Sequence, residues 1–157
     1  MVLVATAILL LVVIRIFILQ PERVASDSMQ PTLAPGDVIV LNKLGPALGG
    51  IHTGDLVTLD SPASGESIVK RVVATGGQSV EIYGGELVVD GNVVHESYVD
   101  MHNMGGIFFG PVAVPEGQVF LMGDNRLASI DSRDFGAVDA GSVEGSVLLT
   151  LPLGERG

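Results

Sequence analysis

Residues 1–19 read MVLVATAILLLVVIRIFIL and are apolar apart from Thr6 and Arg15. At ~1.5 Å of rise per helical residue, this stretch nearly spans a hydrocarbon core of ~30 Å. Gln20 and Pro21 follow directly, and a proline interrupts a helix. The pattern therefore predicts a transmembrane anchor over residues 1–20 and a single folded domain over residues 21–157.

A cleaved signal peptide is the alternative for the same stretch. The apolar region of such a peptide is usually about 7 to 15 residues long and follows a basic segment. Here the apolar run is longer, and no Lys or Arg precedes it. Arg15 lies near its end, where a long side chain can reach the membrane interface. The anchor is the preferred interpretation, although the positions of Arg15 and Arg23 do not fix its topology through the positive-inside rule.

Beyond residue 20 the pattern changes to short β-rich runs separated by Gly, Pro, Asn and Asp. Tyr83-Gly84-Gly85-Glu86 and Asp90-Gly91-Asn92 are hairpin signals. No convincing helical period occurs here, so we predict a mainly β domain, either folded-over antiparallel sheets or a partly open barrel. The predicted strands are Asp37–Leu41, Asp55–Leu59, Ser67–Ala74, Ser79–Tyr83, Glu86–Asp90, Val93–His95, Gln118–Met122 and Ser146–Leu151.

The charge of the chain argues against nucleic acid as a partner. The formal net charge is -10, and only 8 Lys and Arg residues occur. Binding to phosphates needs a clustered basic surface, whereas the longest basic run here is the pair Lys70-Arg71.

Metal and thiol chemistry are also disfavoured by the composition. The chain has no cysteine, which removes disulfides, thiolate nucleophiles and Cys-ligated metals. His52, His95 and His102 are scattered without a ligand-like spacing. We therefore predict no metal and no cofactor.

Candidate chemistry is carried by a serine and a lysine. A serine hydroxyl is a poor nucleophile until a base takes its proton, and lysine acts as that base only when its pKa is lowered. Lys70 follows Ile68-Val69 and precedes Arg71 and Val72-Val73, so it projects from a largely apolar strand. Ser28-Met29 lies shortly after the apolar stretch and provides the candidate nucleophile.

These residues belong to an ordered set of motifs that resembles the type I signal peptidases, membrane-bound Ser-Lys proteases that remove signal peptides from exported proteins. The resemblance covers nearly the whole chain. The motifs are Ser26-Asp27-Ser28-Met29-Gln30-Pro31-Thr32-Leu33, Gly36-Asp37, Lys70-Arg71-Val72-Val73, Val114-Pro115-Glu116-Gly117, Met122-Gly123-Asp124-Asn125-Arg126, Ser129-Ile130-Asp131-Ser132-Arg133 and Phe135-Gly136.

The resemblance implies a role for each matching residue. Ser28 would be the acylating nucleophile and Lys70 the general base. Ser129 would hydrogen-bond and orient the lysine, and the Ser26 hydroxyl would join the Ser28 N–H in holding the oxyanion. Asp131, Arg133 and Arg71 would form a supporting ion-pair cluster.

The resemblance also implies the substrate and the location. The substrate would be the signal peptide of an exported preprotein, bound as an extended strand with small side chains at the first and third positions before the cut. The partners would then be signal peptides and the lipid bilayer, with the catalytic domain on the outer face of the cell membrane. Apolar residues that match the pocket walls are Val24, Met29, Leu33, Ile68 and Val69.

Two other functions fit part of the same pattern. A LexA-like self-cleaving repressor uses the same chemistry, but here an apolar stretch replaces the DNA-binding domain and the acidic charge opposes DNA. A catalytically inactive, membrane-tethered β module that binds a partner is the alternative from a different class. A peptide-cleavage assay or a serine-reactive probe distinguishes it from an enzyme.

Overall fold

A computed structural model describes residues 3–4, 6–7, 10–12, 18–99 and 106–154. Short helices lie at α1 (Gly45–Gly49) and α2 (Ser132–Phe135), with a 3-10 turn at Ala140–Ser142. The strands are β1 (Leu19–Arg23), β2 (Val38–Asn42), β3 (Leu56–Asp60), β4 (Ser67–Thr75), β5 (Ser79–Tyr83), β6 (Glu86–Val89), β7 (Asn92–Val93), β8 (Phe108–Ala113), β9 (Gln118–Met122), β10 (Val138–Asp139) and β11 (Gly145–Leu151).

The strands form two antiparallel sheets. The larger sheet has the order β1-β2-β11-β3-β4-β9-β10, and the smaller has the order β7-β6-β5-β8. The prediction of a mainly β, antiparallel architecture is confirmed. The hairpins at Gly84-Gly85 and Asp90-Gly91 are also present. Asp90 and Gly91 have φ angles of 52° and 75°, the left-handed values that a tight two-residue hairpin requires.

Three strands were not predicted: β1, β8 and β10. Leu19 and Gln20, which the sequence analysis assigned to the anchor, instead pair with Asn42 and Leu41 of β2. Pro21 is compatible with β1 because that strand lies at the edge of the large sheet, where a missing N–H costs no ladder bond. Pro111 in β8 is tolerated for the same reason at the edge of the small sheet.

The N-terminal segment is only partly described. Residues 3–4, 6–7 and 10–12 are helical and exposed, and the rest of residues 1–17 lies outside the described residues. Within the described part of the chain, no helix has both the length and the apolarity needed to cross a bilayer.

The apolar core is divided into three clusters, which the large sheet helps to separate. One cluster lies between the two sheets and contains Phe120 and Met122 of β9. The second contains Val57 and Leu59 of β3 together with Val72. The third packs the segment after β1 onto β2 and consists of Val24, Met29, Leu33, Ile39 and Leu41. The strand β4 lies between β3 and β9 and so passes through the centre of this packing.

Candidate active site

The predicted serine and lysine are in direct contact. Lys70 lies in β4 with 3% of its surface exposed, and Ser28 lies in the segment after β1 with 6% exposed. The Lys70 Nζ donates a hydrogen bond to the Ser28 Oγ at 2.7 Å. This separation is short enough for a proton to pass between the two groups.

The surroundings of Lys70 favour its neutral form. Burial lowers the pKa of the amine below its ordinary value, because the charged form loses solvation. The negative charge of Asp131 opposes this shift, and the positive charge of Arg133 adds to it. The net pKa is lowered, as a lysine base requires.

The loop after β9 holds the nucleophile in place from behind. The Asn125 N–H donates to the Ser28 carbonyl at 3.0 Å, and the Asn125 side-chain amide donates to the Asp27 carbonyl at 3.2 Å. Gly123 makes the close approach of the two segments possible. A Cβ at this position would lie 2.5 Å from the Ser28 carbonyl oxygen and 2.3 Å from the Ser129 Oγ.

Ser26 lies on the open side of the pair. Its hydroxyl is 3.2 Å from the Ser28 Oγ, and the residue is exposed. Ser26 therefore places a hydroxyl at the solvent-exposed edge of the pair, and its role as a donor to an oxyanion stays a prediction.

Ser129 is close to the site but does not make the predicted hydrogen bond. Its Oγ is buried and has no hydrogen-bond partner among the described residues, Lys70 included. The hydroxyl packs over Gly123, whose missing side chain leaves space for it. Ser129 is thus positioned near the pair without contacting the amine in this state.

The predicted ion-pair cluster consists of two separate pairs. Arg133 donates to both carboxylate oxygens of Asp131 at 2.8 Å. Burial disfavours the charge on Asp131, but the hydrogen bonds from Arg133 and from the Gly123 N–H hold its pKa below the ordinary value. The sequence analysis placed Arg71 in one cluster with Asp131 and Arg133. In the structure, Arg71 forms its ion pair with Asp124 instead.

Asp124 is the centre of a network that the sequence analysis missed. It accepts two hydrogen bonds from Arg71, at 2.8 and 2.7 Å, and one from the Thr32 hydroxyl. The Arg71 guanidinium lies 3.7 Å from the centre of the Tyr98 ring, a cation–π contact. The only sequence signal for Asp124 was its place in the motif Gly123-Asp124-Asn125-Arg126.

The same network also holds the segment after β7 in place, through Glu96 and Tyr98. Glu96 accepts a hydrogen bond from the Tyr98 hydroxyl at 2.8 Å and forms an ion pair with Arg126. Burial and the nearby Glu96 charge raise the pKa of Tyr98, which keeps its hydroxyl protonated as a donor. Through these contacts the segment from the small sheet is attached to the loop behind Ser28.

The five predicted pocket residues fall into two groups. Val24, Ile68 and Val69 line a cavity of about 170 Å³ between the end of β1 and the start of β4. Met29 and Leu33 are 0% and 1% exposed and belong to the third core cluster. They therefore support the segment that carries Ser28. Neither of them lines the cavity that Val24, Ile68 and Val69 share.

The sequence matches the protein family described as "Signal peptidase, peptidase S26" over residues 1–151. This chain belongs to that signal peptidase family. The signal peptidase I of Bacillus amyloliquefaciens is 37% identical over 137 residues, which cover 82% of this chain and 70% of that protein. The signal peptidase IB of Staphylococcus aureus is 31% identical over 160 residues, covering 92% of this chain and 83% of that protein.

Solved structures place the chain in the same family. A crystal structure of a signal peptidase I from Enterococcus faecalis superposes with a TM-score of 0.55 at 31% identity, covering 62% of this chain and 96% of that one. As a member of a peptidase family, the chain is a hydrolase of peptide bonds.

Proposed function

We propose that this chain is a membrane-bound serine endopeptidase that removes signal peptides from exported preproteins, with Ser28 as nucleophile and Lys70 as general base. The observation that carries the proposal is the buried 2.7 Å contact between the Lys70 Nζ and the Ser28 Oγ. The signal peptidases to which the chain is similar support the choice of substrate.

The reaction begins when the neutral Lys70 amine accepts the Ser28 proton and the Ser28 Oγ attacks the scissile carbonyl. The resulting oxyanion is stabilised by the Ser28 N–H and the Ser26 hydroxyl. As the C–N bond breaks, the Lys70 ammonium passes its proton to the leaving amine, and an ester remains on Ser28. Water then attacks the ester carbonyl while Lys70 takes a proton from it. The bond between the acyl carbon and the Ser28 Oγ breaks, Lys70 returns the proton to the Ser28 Oγ, and the signal peptide leaves with a new C-terminal carboxyl group.

The positions of the supporting residues suit this sequence of steps. Ser129 packs over Gly123, behind Ser28, and would orient the amine once substrate excludes water from the site. Asp131 with Arg133 supports the loop between Gly123 and Ser129. Val24, Ile68 and Val69 wall a groove in which an extended peptide binds beside the start of β4.

The apolar segment that precedes β1 is proposed to anchor the enzyme in the cell membrane by a single pass. The catalytic domain would then lie on the extracytoplasmic side, where signal peptides emerge. The lipid bilayer and preproteins would be its partners, and the net charge of -10 disfavours nucleic acid.

Cleavage of a preprotein with Ala at the first and third positions tests the proposal. We expect the purified chain to cut it once, after the first-position Ala, and Ser28→Ala to remove the activity while the circular dichroism spectrum stays unchanged. Replacing the first-position Ala by Phe should block the cut, because a small pocket rejects added volume. An inactive binding module would cut neither preprotein, and that result would refute the proposal.

A further inference from the structure

One exposed charge beside the nucleophile has no role in the mechanism described above. Asp27 lies between Ser26 and Ser28 and is exposed. Its carbonyl accepts hydrogen bonds from the Gln30 N–H at 3.0 Å and from the Asn125 side-chain amide at 3.2 Å. Its carboxylate has no hydrogen bond or ion pair within the described part of the chain. The backbone of Asp27 is therefore fixed, while its carboxylate is free to take a partner.

The Asp27 carboxylate is close enough to the catalytic pair for its charge to act there. Burial lowers the pKa of Lys70, and the negative charges of Asp131, Asp124 and Asp27 oppose that shift. Asp131 and Asp124 each form an ion pair with an arginine, so their charges are balanced. Among these three carboxylates, Asp27 is the one without a cation beside it in the described residues. The mouth of the site therefore carries an unbalanced negative charge.

The surroundings of Asp27 indicate which part of a peptide would meet this charge. The cavity of about 170 Å³, proposed to hold substrate residues before the cut, is lined by residues up to Ser26 but not by Asp27. On its other side Asp27 contacts Asn125 in the loop after β9, and no residue of that loop lines the cavity. Asp27 thus lies past the cavity, on the side where the peptide continues beyond the cut.

The chemistry of a free carboxylate at this place favours one sign of charge. An extended peptide advances ~3.3 Å per residue, so the residue after the cut lies close to the Ser28 Oγ. A lysine or arginine there has a long, flexible side chain that can bring its charge to the Asp27 carboxylate. A glutamate or aspartate at the same position meets a like charge. The interaction is exposed, so its effect is modest and depends on salt.

We propose that Asp27 is a specificity-determining residue that favours lysine or arginine, and disfavours aspartate or glutamate, at the first position after the cut. This inference rests on the proposed function. It goes beyond it because it concerns the charge of the mature protein, whereas the cavity concerns the size of side chains in the signal peptide.

Peptides that differ only by Lys, Gln or Glu at the first position after the cut provide the test. For the unaltered enzyme we expect kcat/KM to be about two- to fivefold higher for Lys than for Gln, and lower for Glu by a similar factor, the range of one exposed ion pair. Sodium chloride at about 0.5 M should bring these ratios towards one, because salt screens exposed charges.

Variants of Asp27 are compared by the Lys-to-Glu ratio, because a change in the pKa of Lys70 affects all three peptides alike. Asp27→Asn should bring this ratio close to one, and Asp27→Lys should reverse the preference. Glu116→Gln is the control and should leave the ratio unchanged, since it removes the same charge from an exposed position between β8 and β9.

The outcomes separate this inference from the function on which it rests. If the Gln peptide is cleaved but the unaltered enzyme cuts the Lys and Glu peptides equally, the role of Asp27 is refuted and the peptidase remains. A preference for Lys that survives Asp27→Asn refutes it as well. So does a preference that appears when the charge is placed at the second position before the cut and not after it. If no peptide is cleaved, both fall. Should Asp27→Lys fail to fold in a thermal melt, the ratio of Asp27→Asn decides.

Discussion

The Arg71 guanidinium donates hydrogen bonds to both carboxylate oxygens of Asp124, at 2.8 and 2.7 Å, and so joins β4 to the loop behind Ser28. The Asp124 side chain is fully buried, and that of Arg71 is 11% exposed. Because Lys70 precedes Arg71 and Asn125 follows Asp124, this one pair fixes the lysine strand relative to the segment that carries the nucleophile.

Asp124→Asn should lower the free energy of unfolding by about 3 kcal/mol, because it leaves the Arg71 charge largely buried without its partner. Urea unfolding measures the loss. Glu116→Gln, which removes the same charge from an exposed position, is the control and should change stability by less than about 0.5 kcal/mol. Equal stabilities of the two variants would show that the pair does not hold the site together.

Gly123→Ala should reduce kcat/KM by about 100-fold or more. A Cβ here would lie 2.5 Å from the Ser28 carbonyl oxygen, and a displacement of the nucleophile by about 1 Å has an effect of that size. Gly49→Ala is the matched control, because an added Cβ there meets nothing within 4 Å. Full activity of Gly123→Ala would mean that the loop is free to move away from Ser28.

Ser129→Ala should lower kcat about tenfold and leave KM nearly unchanged, if the hydroxyl orients Lys70 in the substrate complex. It should change stability by less than about 0.5 kcal/mol, because the Ser129 Oγ has no hydrogen bond to lose among the described residues. Ser132→Ala provides the contrast, since the Ser132 Oγ accepts from the Leu121 N–H at 2.9 Å and its loss should cost about 1–3 kcal/mol. An unchanged kcat for Ser129→Ala would remove Ser129 from the mechanism.

The rate should rise with pH, with a midpoint below the ordinary lysine pKa of 10.5, because burial lowers the pKa of Lys70 and only the neutral amine accepts a proton. Between the lowered pKa and 10.5 the unfolded chain binds the additional proton, so this group makes stability increase with pH across that window. A pH profile of kcat/KM and pH-dependent unfolding of Lys70→Met check both effects. A rate midpoint at or above 10.5 would contradict the lowered pKa.

The sequence pattern predicted the antiparallel strands that alternate regularly, and the motifs identified Ser28 and Lys70. The pattern failed where an edge position relaxes the rules: Pro21 was predicted to end a helix but lies in β1, and β8, which contains Gly110-Pro111, was not predicted. Hydrogen bonding at a sheet edge depends on the neighbouring strand, which periodicity along one segment does not specify.

The pairing of charges that are distant in the chain could not be predicted from the sequence either. Arg71 and Asp124 are 53 positions apart, and nothing local distinguishes Asp124 from Asp131 as a partner for Arg71.

The most direct test of the account is the cleavage rate of one preprotein by four proteins: the unaltered chain, Ser28→Ala, Lys70→Met and the double variant. Because the two side chains act as one unit, we expect each single variant to lose all detectable turnover and the double variant to be no slower than either. All four should retain cooperative unfolding. Substantial turnover by Ser28→Ala or by Lys70→Met would contradict the Ser28–Lys70 mechanism.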